Sequence, residues 1–273
     1  MEIVGYISKM QVEYAQPVHY TLALGEARIN LNPLVNQKIR LDFLEIIQCQ
    51  YCSRTIKKSY GDGFCYVCAQ QLARADWCIM QPTRCHYHVN TCREPQWGEA
   101  NCMIPYVVYL ANTSGLKVGI TRQSQVFTRW ADQGASAAVP LLIVPNRRVS
   151  GFAEQVIAGH VSDKTHWQKM LKGPPEAENL LEYRESLLEK VKPELLEINE
   201  KFAAEVIQWP HNPQVTQIEY PVARYLSKIA SLSFNKQKVI EGTLLGIKGQ
   251  YLMFEEGVLN LRKHSGYQIA LSF

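Results

Sequence analysis

Apolar and polar positions alternate through residues 1–48, in runs such as "HYTLALGEARINL" and "QKIRLDFLEII". A period of two predicts short strands with one buried face, with a turn at Asn32-Pro33. The pattern lapses over 49–102, where aliphatic residues are few. It resumes at 103–173 in mixed form. "YLANTSGLKVGITR" (Tyr109 to Arg122) reads as strand, turn and strand. A helix follows over "QSQVFTRWADQG", a strand over "AVPLLIVP" and a helix over "SGFAEQVIAGHVSDKTHWQKML". That order describes a small α/β unit. "KGPP" at 172–175 is a breaker. Beyond it Leu180, Leu181, Leu187, Leu188 and Val191 recur at helical spacing, and Pro193 is expected to break or kink the helix. From about 215 the chain returns to strands, with Gly246, Gly249, Gly257 and Gly266 suited to turns or bulges.

The pattern predicts an α+β protein. A β-rich segment (1–48) and a cysteine-rich module (49–102) precede a compact α/β core (103–173). A helical arm (174–214) and a C-terminal β domain (215–273) follow. The last domain is placed to pack with the first segment, in one β-barrel if the two close on each other.

Composition narrows the class. At 47% hydrophobic and 20% charged the chain is an ordinary globular one, long enough to bury a core without staples. "MEIVGYISKM" lacks the basic and long apolar regions of a signal peptide. No apolar run approaches the ~20 residues that span a bilayer. A cytoplasmic protein with no membrane contact is expected. The net charge of +4 is too small to argue for a nucleic-acid partner by itself. Its distribution says more: residues 103–172 hold eight Lys/Arg against three acids, and residues 176–205 hold nine Glu against four Lys/Arg. Phosphate favours the first region and avoids the second, so the helical arm reads as scaffold or protein contact.

All eight cysteines fall between Cys49 and Cys102. In a cytosolic chain such a cluster points to metal rather than disulfides. Cys49-x2-Cys52-x12-Cys65-x2-Cys68 offers two knuckles to one tetrahedral Zn2+, a structural site because four thiolates leave no open position. Cys78, Cys85, Cys92 and Cys102 follow no standard knuckle spacing. With His86 and His88 among them they predict a second Zn2+, held by the four cysteines, with His88 or His86 as alternates. Buried free thiols are the competing reading. His160, Asp163 and His166 admit a helical metal site, although capping and packing explain them as well.

A basic unit with one glutamate suits phosphodiester chemistry: cations hold phosphate and stabilise developing charge, and a carboxylate anchors a divalent cation. The order of residues here resembles the GIY-YIG nuclease superfamily. Val107-Val108-Tyr109 stands at the first triplet, Lys117-Val118-Gly119 at the second, Arg129 on the next helix and Glu154 on a later one. The first triplet lacks its glycine, and Lys117 occupies the usual tyrosine position. The resemblance implies a GIY-YIG-like core in which Tyr109 is a general base, Lys117 and Arg129 contact phosphate, and Glu154 holds Mg2+ or Mn2+. Gly119 would let backbone approach the substrate, and Arg122, Arg147 and Arg148 would add nucleic-acid contacts. The whole-chain order of "RTIKKS", "GFCYVC", "CREPQWG", "RWADQGA" and "IKGQY" also resembles an uncharacterised prokaryotic family of unknown function. Two functions are expected: metal-dependent cleavage of DNA or RNA, or zinc-dependent nucleic-acid binding without cleavage. A protein-interaction scaffold on the acidic helix is a third.

Overall fold

The computed structural model describes residues 2–202 and 206–273. The N-terminal strands are β1 (Glu2–Tyr6), β2 (Gln11–Glu13), β3 (His19–Leu24), β4 (Ala27–Asn30) and β5 (Lys38–Gln48), with a single-turn helix at Asn32–Leu34. The cysteine-rich region holds only short elements: β6 (Thr55–Ile56), α1 (Tyr66–Gln71), α2 (Trp77–Met80) and α3 (Pro95–Asn101). Next come β7 (Tyr106–Asn112), β8 (Leu116–Arg122), α4 (Val126–Asp132), β9 (Ala137–Val144), α5 (Arg147–Ala158) and α6 (Trp167–Met170). The long α7 (Leu180–Lys201) leads to β10 (Thr216–Gln217), β11 (Ser231–Leu232), β12 (Val239–Lys248), β13 (Tyr251–Phe254), β14 (Gly257–Asn260) and β15 (Tyr267–Ser272).

The two ends of the chain share a sheet of order β1-β15-β5-β12-β13-β14-β11, with β6 added at β5. The sheet is open, which corrects the expected β-barrel: β12 pairs with β5 over its first half and with β13 over its second, across a register shift at Leu244/Gly246. A bulge there turns the sheet without closing it. β2, β3 and β4 form a separate three-stranded sheet.

The α/β core is a four-stranded sheet, β10-β9-β7-β8. Its middle strand β7 is buried at all seven positions, because alternate side chains enter different cores. Val108 and Leu110 pack with α5 and α7, burying Ala153, Ile157, Leu187, Val191 and Leu195. Val107, Tyr109 and Ala111 face the other way, toward Trp130, Ala131 and the core under the large sheet. Two expectations need correction. The helix predicted over 150–171 stops at Ala158, since the loop after it bonds to β8 instead: Ser162 accepts from the Val118 amide at 2.8 Å and the Asp163 carbonyl from Lys117 Nζ at 2.8 Å. α7 runs through Pro193. Pro193 is exposed, so the carbonyl deprived of its partner faces water.

Candidate functional site

The first cysteine set is assembled by the end of β5 and the start of α1. Cys65 caps α1 with its sulfur, accepting from the Cys68 amide at 3.4 Å, and the Cys65 amide donates to Cys49 Sγ at 3.2 Å. All four sulfurs of Cys49, Cys52, Cys65 and Cys68 lie within 4.8 Å of one another, with Cys52 and Cys65 at 3.8 Å. Sulfurs around a tetrahedral zinc, at Zn–S ~2.3 Å, sit about 3.8 Å apart, so this donor set is compatible with a structural zinc. Burial raises the Cys49 thiol, but amides of Cys52, Cys65 and Tyr51 outweigh it and bring it down to about 6. Burial and the neighbouring thiols push Cys68 up to about 12. The amides around Cys49 thus favour its thiolate, the form in which a cysteine ligates metal.

The second set is arranged differently. Cys78, Cys85, Cys92 and Cys102 line one cavity of about 10 Å³ together with His86, Tyr87, Trp97 and Gly98. A hole of this size holds a single small particle. Cys78 and His86 place ligand atoms within 4.8 Å of Asp76, a residue the spacing argument passed over. Asp76 caps α2, accepting from the Cys78 amide at 3.3 Å, and pairs with Arg93 at 2.6 Å. His86 turns its Nδ1 to Thr91 at 2.7 Å and its Nε2 toward Asp76 at 3.4 Å. His88 lies in a neighbouring cavity with Arg148 and Phe202. Cys-x-x-Cys spacing could not reveal Asp76, but its place as a cap before "WCIM" was a readable signal.

The α/β core carries the other constellation. In the β7–β8 register Tyr109 lies opposite Gly119. A Cβ at Gly119 would sit 2.5 Å from the Tyr109 hydroxyl, so this glycine makes room for the tyrosine ring. Tyr109 is fully buried, edge-on to Trp130 with ring centres 6.0 Å apart. With the Gln133 amide oriented to satisfy both neighbours, its nitrogen donates to Tyr109 at 2.8 Å and its oxygen accepts from Arg129 at 2.9 and 3.0 Å. Gln133, unsuspected from sequence, thus ties Tyr109 to Arg129.

Burial pushes Tyr109 up to about 12, partly offset by Arg129. Burial thus favours the neutral phenol, whose oxygen accepts from Gln133. Burial and the nearby Arg129 bring Lys117 down to about 8. Burial raises Glu154, with Lys117 and Arg129 opposing. The four side chains predicted together therefore act on one another electrostatically.

Arg129 also opens onto a cleft of about 350 Å³, which it lines with Arg122, Arg147, Arg262, Ile79 and Met80. Arg147 donates to the Ile79 carbonyl and to Tyr106 at 3.4 Å, and its buried Nε has no hydrogen-bond partner among the described residues. Arg122 is steadied by Asn101 and Gln125. Arg262, from beyond β14, is paired with Asp62. Arg148, expected beside Arg147, points elsewhere and stands over Phe152 and Phe202. His160 faces Glu194 at 3.7 Å, so His160, Asp163 and His166 form no cluster.

A family model described as "Protein of unknown function (DUF2797)" matches residues 36–269. The chain belongs to the DUF2797 family. Its match spans the cysteine sets, the α/β core and most of the C-terminal sheet, so these parts belong to one family unit. No curated protein and no solved structure matches this DUF2797 chain. Among its described residues, no helix is long and apolar enough to cross a membrane.

Proposed function

We propose that the protein binds nucleic acid in the arginine-lined cleft and hydrolyses its phosphodiester bonds at the adjoining Tyr109–Lys117–Glu154 cluster. The observation that carries this is Arg129: the same guanidinium lines the cleft and bonds through Gln133 to the buried cluster. A phosphate held by Arg122, Arg129 and Arg147 would lie against charge-stabilising donors already fixed in place. Water would attack phosphorus and give a proton to Lys117 in its neutral form, which burial and Arg129 favour by bringing it down to about 8, while Tyr109 would donate to a phosphate oxygen and the leaving oxygen would depart with its proton from solvent. Mg2+ commonly uses one or two carboxylates plus substrate phosphates, and Glu154 fits the carboxylate; the ion would supply Lewis-acid charge. The two cysteine sets would hold structural Zn2+: the first by its four thiols, the second by cysteines of the small cavity with Asp76 or His86.

A second reading, binding without cleavage, is favoured by burial: Tyr109 is 0% and Lys117 5% exposed. Labelled single- and double-stranded DNA and RNA, incubated with the chain in Mg2+ or Mn2+, separate the two. Cleavage lost in Glu154→Ala with binding retained supports hydrolysis. Binding without cleavage of any substrate overturns hydrolysis and leaves the second reading.

A further inference from the structure

We infer that the nucleic acid this cleft takes is single-stranded, with unstacked bases resting on Trp77 and Met80. The inference rests on the reading of the cleft as a nucleic-acid contact. α2 is pinned on both sides: Cys78 faces the cysteine cavity and the Ile79 carbonyl accepts from Arg147. Its outer face is left to solvent. Trp77 is 70% and Met80 79% exposed, large values for side chains of this kind in a folded chain. They are three residues apart and therefore neighbours on one helix face. Met80 lines the arginine cleft itself, so the apolar face continues the cationic one. A cationic groove bordered by a rigid aromatic platform is how proteins take single strands: guanidinia track the backbone while bases stack on rings. A duplex keeps its base faces stacked and could not lay one on this ring.

Fluorescence anisotropy with labelled mixed-sequence 20-nucleotide strands, DNA and RNA, and with their duplexes, tests this. The full chain is used without Mg2+ or Mn2+, at fixed salt. Single strands are expected to bind at least tenfold tighter than duplexes. Trp77→Ala should weaken single-strand binding roughly 5- to 140-fold, the loss of one stacked base, and leave duplex binding unchanged. Met80→Ser should act in the same direction. Both side chains are exposed, so unchanged metal content and unfolding midpoint will show the variants intact. Equal affinity for duplexes, or equal loss on both substrates, overturns the inference. So does self-association of the wild type that Trp77→Ala abolishes, which would make a second copy the occupant. Single-strand binding without cleavage in Mg2+ or Mn2+ leaves this inference standing and removes hydrolysis; duplex cleavage without strand preference does the reverse. Failure to bind any probe overturns both.

Discussion

Replacing Gly119 by alanine would test the seating of Tyr109. The new Cβ would lie 2.5 Å from the tyrosine oxygen, 2.6 Å from Cζ and 3.1 Å from Cε2. None of these atoms is a free side-chain end. The ring is fully buried, packed edge-on to Trp130 and fixed by Gln133 at 2.8 Å. To restore ordinary contact the ring must move by nearly 1 Å, which the Gln133 bond does not survive. Overpacking of this kind costs about 1–3 kcal/mol, and stranding a buried hydroxyl about 1–3 kcal/mol more, giving roughly 2–6 kcal/mol in all. With a urea slope of about 3 kcal/mol/M, the midpoint should fall on the order of 1 M. Urea unfolding followed by tryptophan fluorescence measures it. Tyr109→Phe removes the nearest of the three clashing atoms, so the double variant should be less destabilised than the two single losses added together. A Gly119→Ala midpoint indistinguishable from wild type, or strict additivity in the cycle, would refute the reasoning.

Four further outcomes are expected. Metal analysis of the wild type should give close to two Zn2+ per chain, Cys49→Ser and Cys78→Ser each losing one; a wild-type value near one removes the second site. The Lys117 folded-state value, near 8, is depressed below its ordinary 10.5. Its burial penalty is therefore fully present below pH 8 and is relieved as pH rises toward the unfolded value. From pH 8 to 10 the wild type should gain on the order of 2–3 kcal/mol relative to Lys117→Met, read by urea unfolding at both pH values; parallel profiles would contradict it. Lys248, also brought to about 8 by burial, predicts the same slope for Lys248→Met. Arg184 on α7 donates to the Pro140 carbonyl at 3.0 Å and the Pro210 carbonyl at 3.4 Å. Arg184→Met should cost about 2–4 kcal/mol by stranding both, with oligonucleotide affinity unchanged, as an internal control for the cleft variants.

What could be read from the sequence follows the range of each interaction. The period-two pattern located β3 and β5 because alternation is a local consequence of one buried face, and the β7–β8 hairpin was legible as two apolar runs around a polar turn, β7 being buried on both faces. The knuckle at Cys49 and Cys52 was legible for the same reason: two ligands three residues apart must turn toward one point. The order Tyr109, Lys117, Arg129, Glu154 was legible only as a set, since no single member has a distinctive neighbourhood. Contacts formed by distant segments left no such trace. Arg262 reaches the cleft from the far end of the chain, and Asp76 joins His86 across ten residues without a spacing rule. The failure at Arg148 is of another kind. Adjacent helical residues diverge by about 100°, so a basic pair on α5 cannot serve one surface. Arg147 faced the cleft and Arg148 went to Phe152 and Phe202. That divergence also bears on the proposed ligand: the cleft's cations come from β8, α4, the start of α5 and the turn after β14. Cations gathered from four separate elements line one cleft, and the buried Nε of Arg147 there has no hydrogen-bond partner among the described residues. Under the proposed reading such a cleft would hold the backbone of a strand while a base rests on Trp77, one helical turn from the Met80 that lines it.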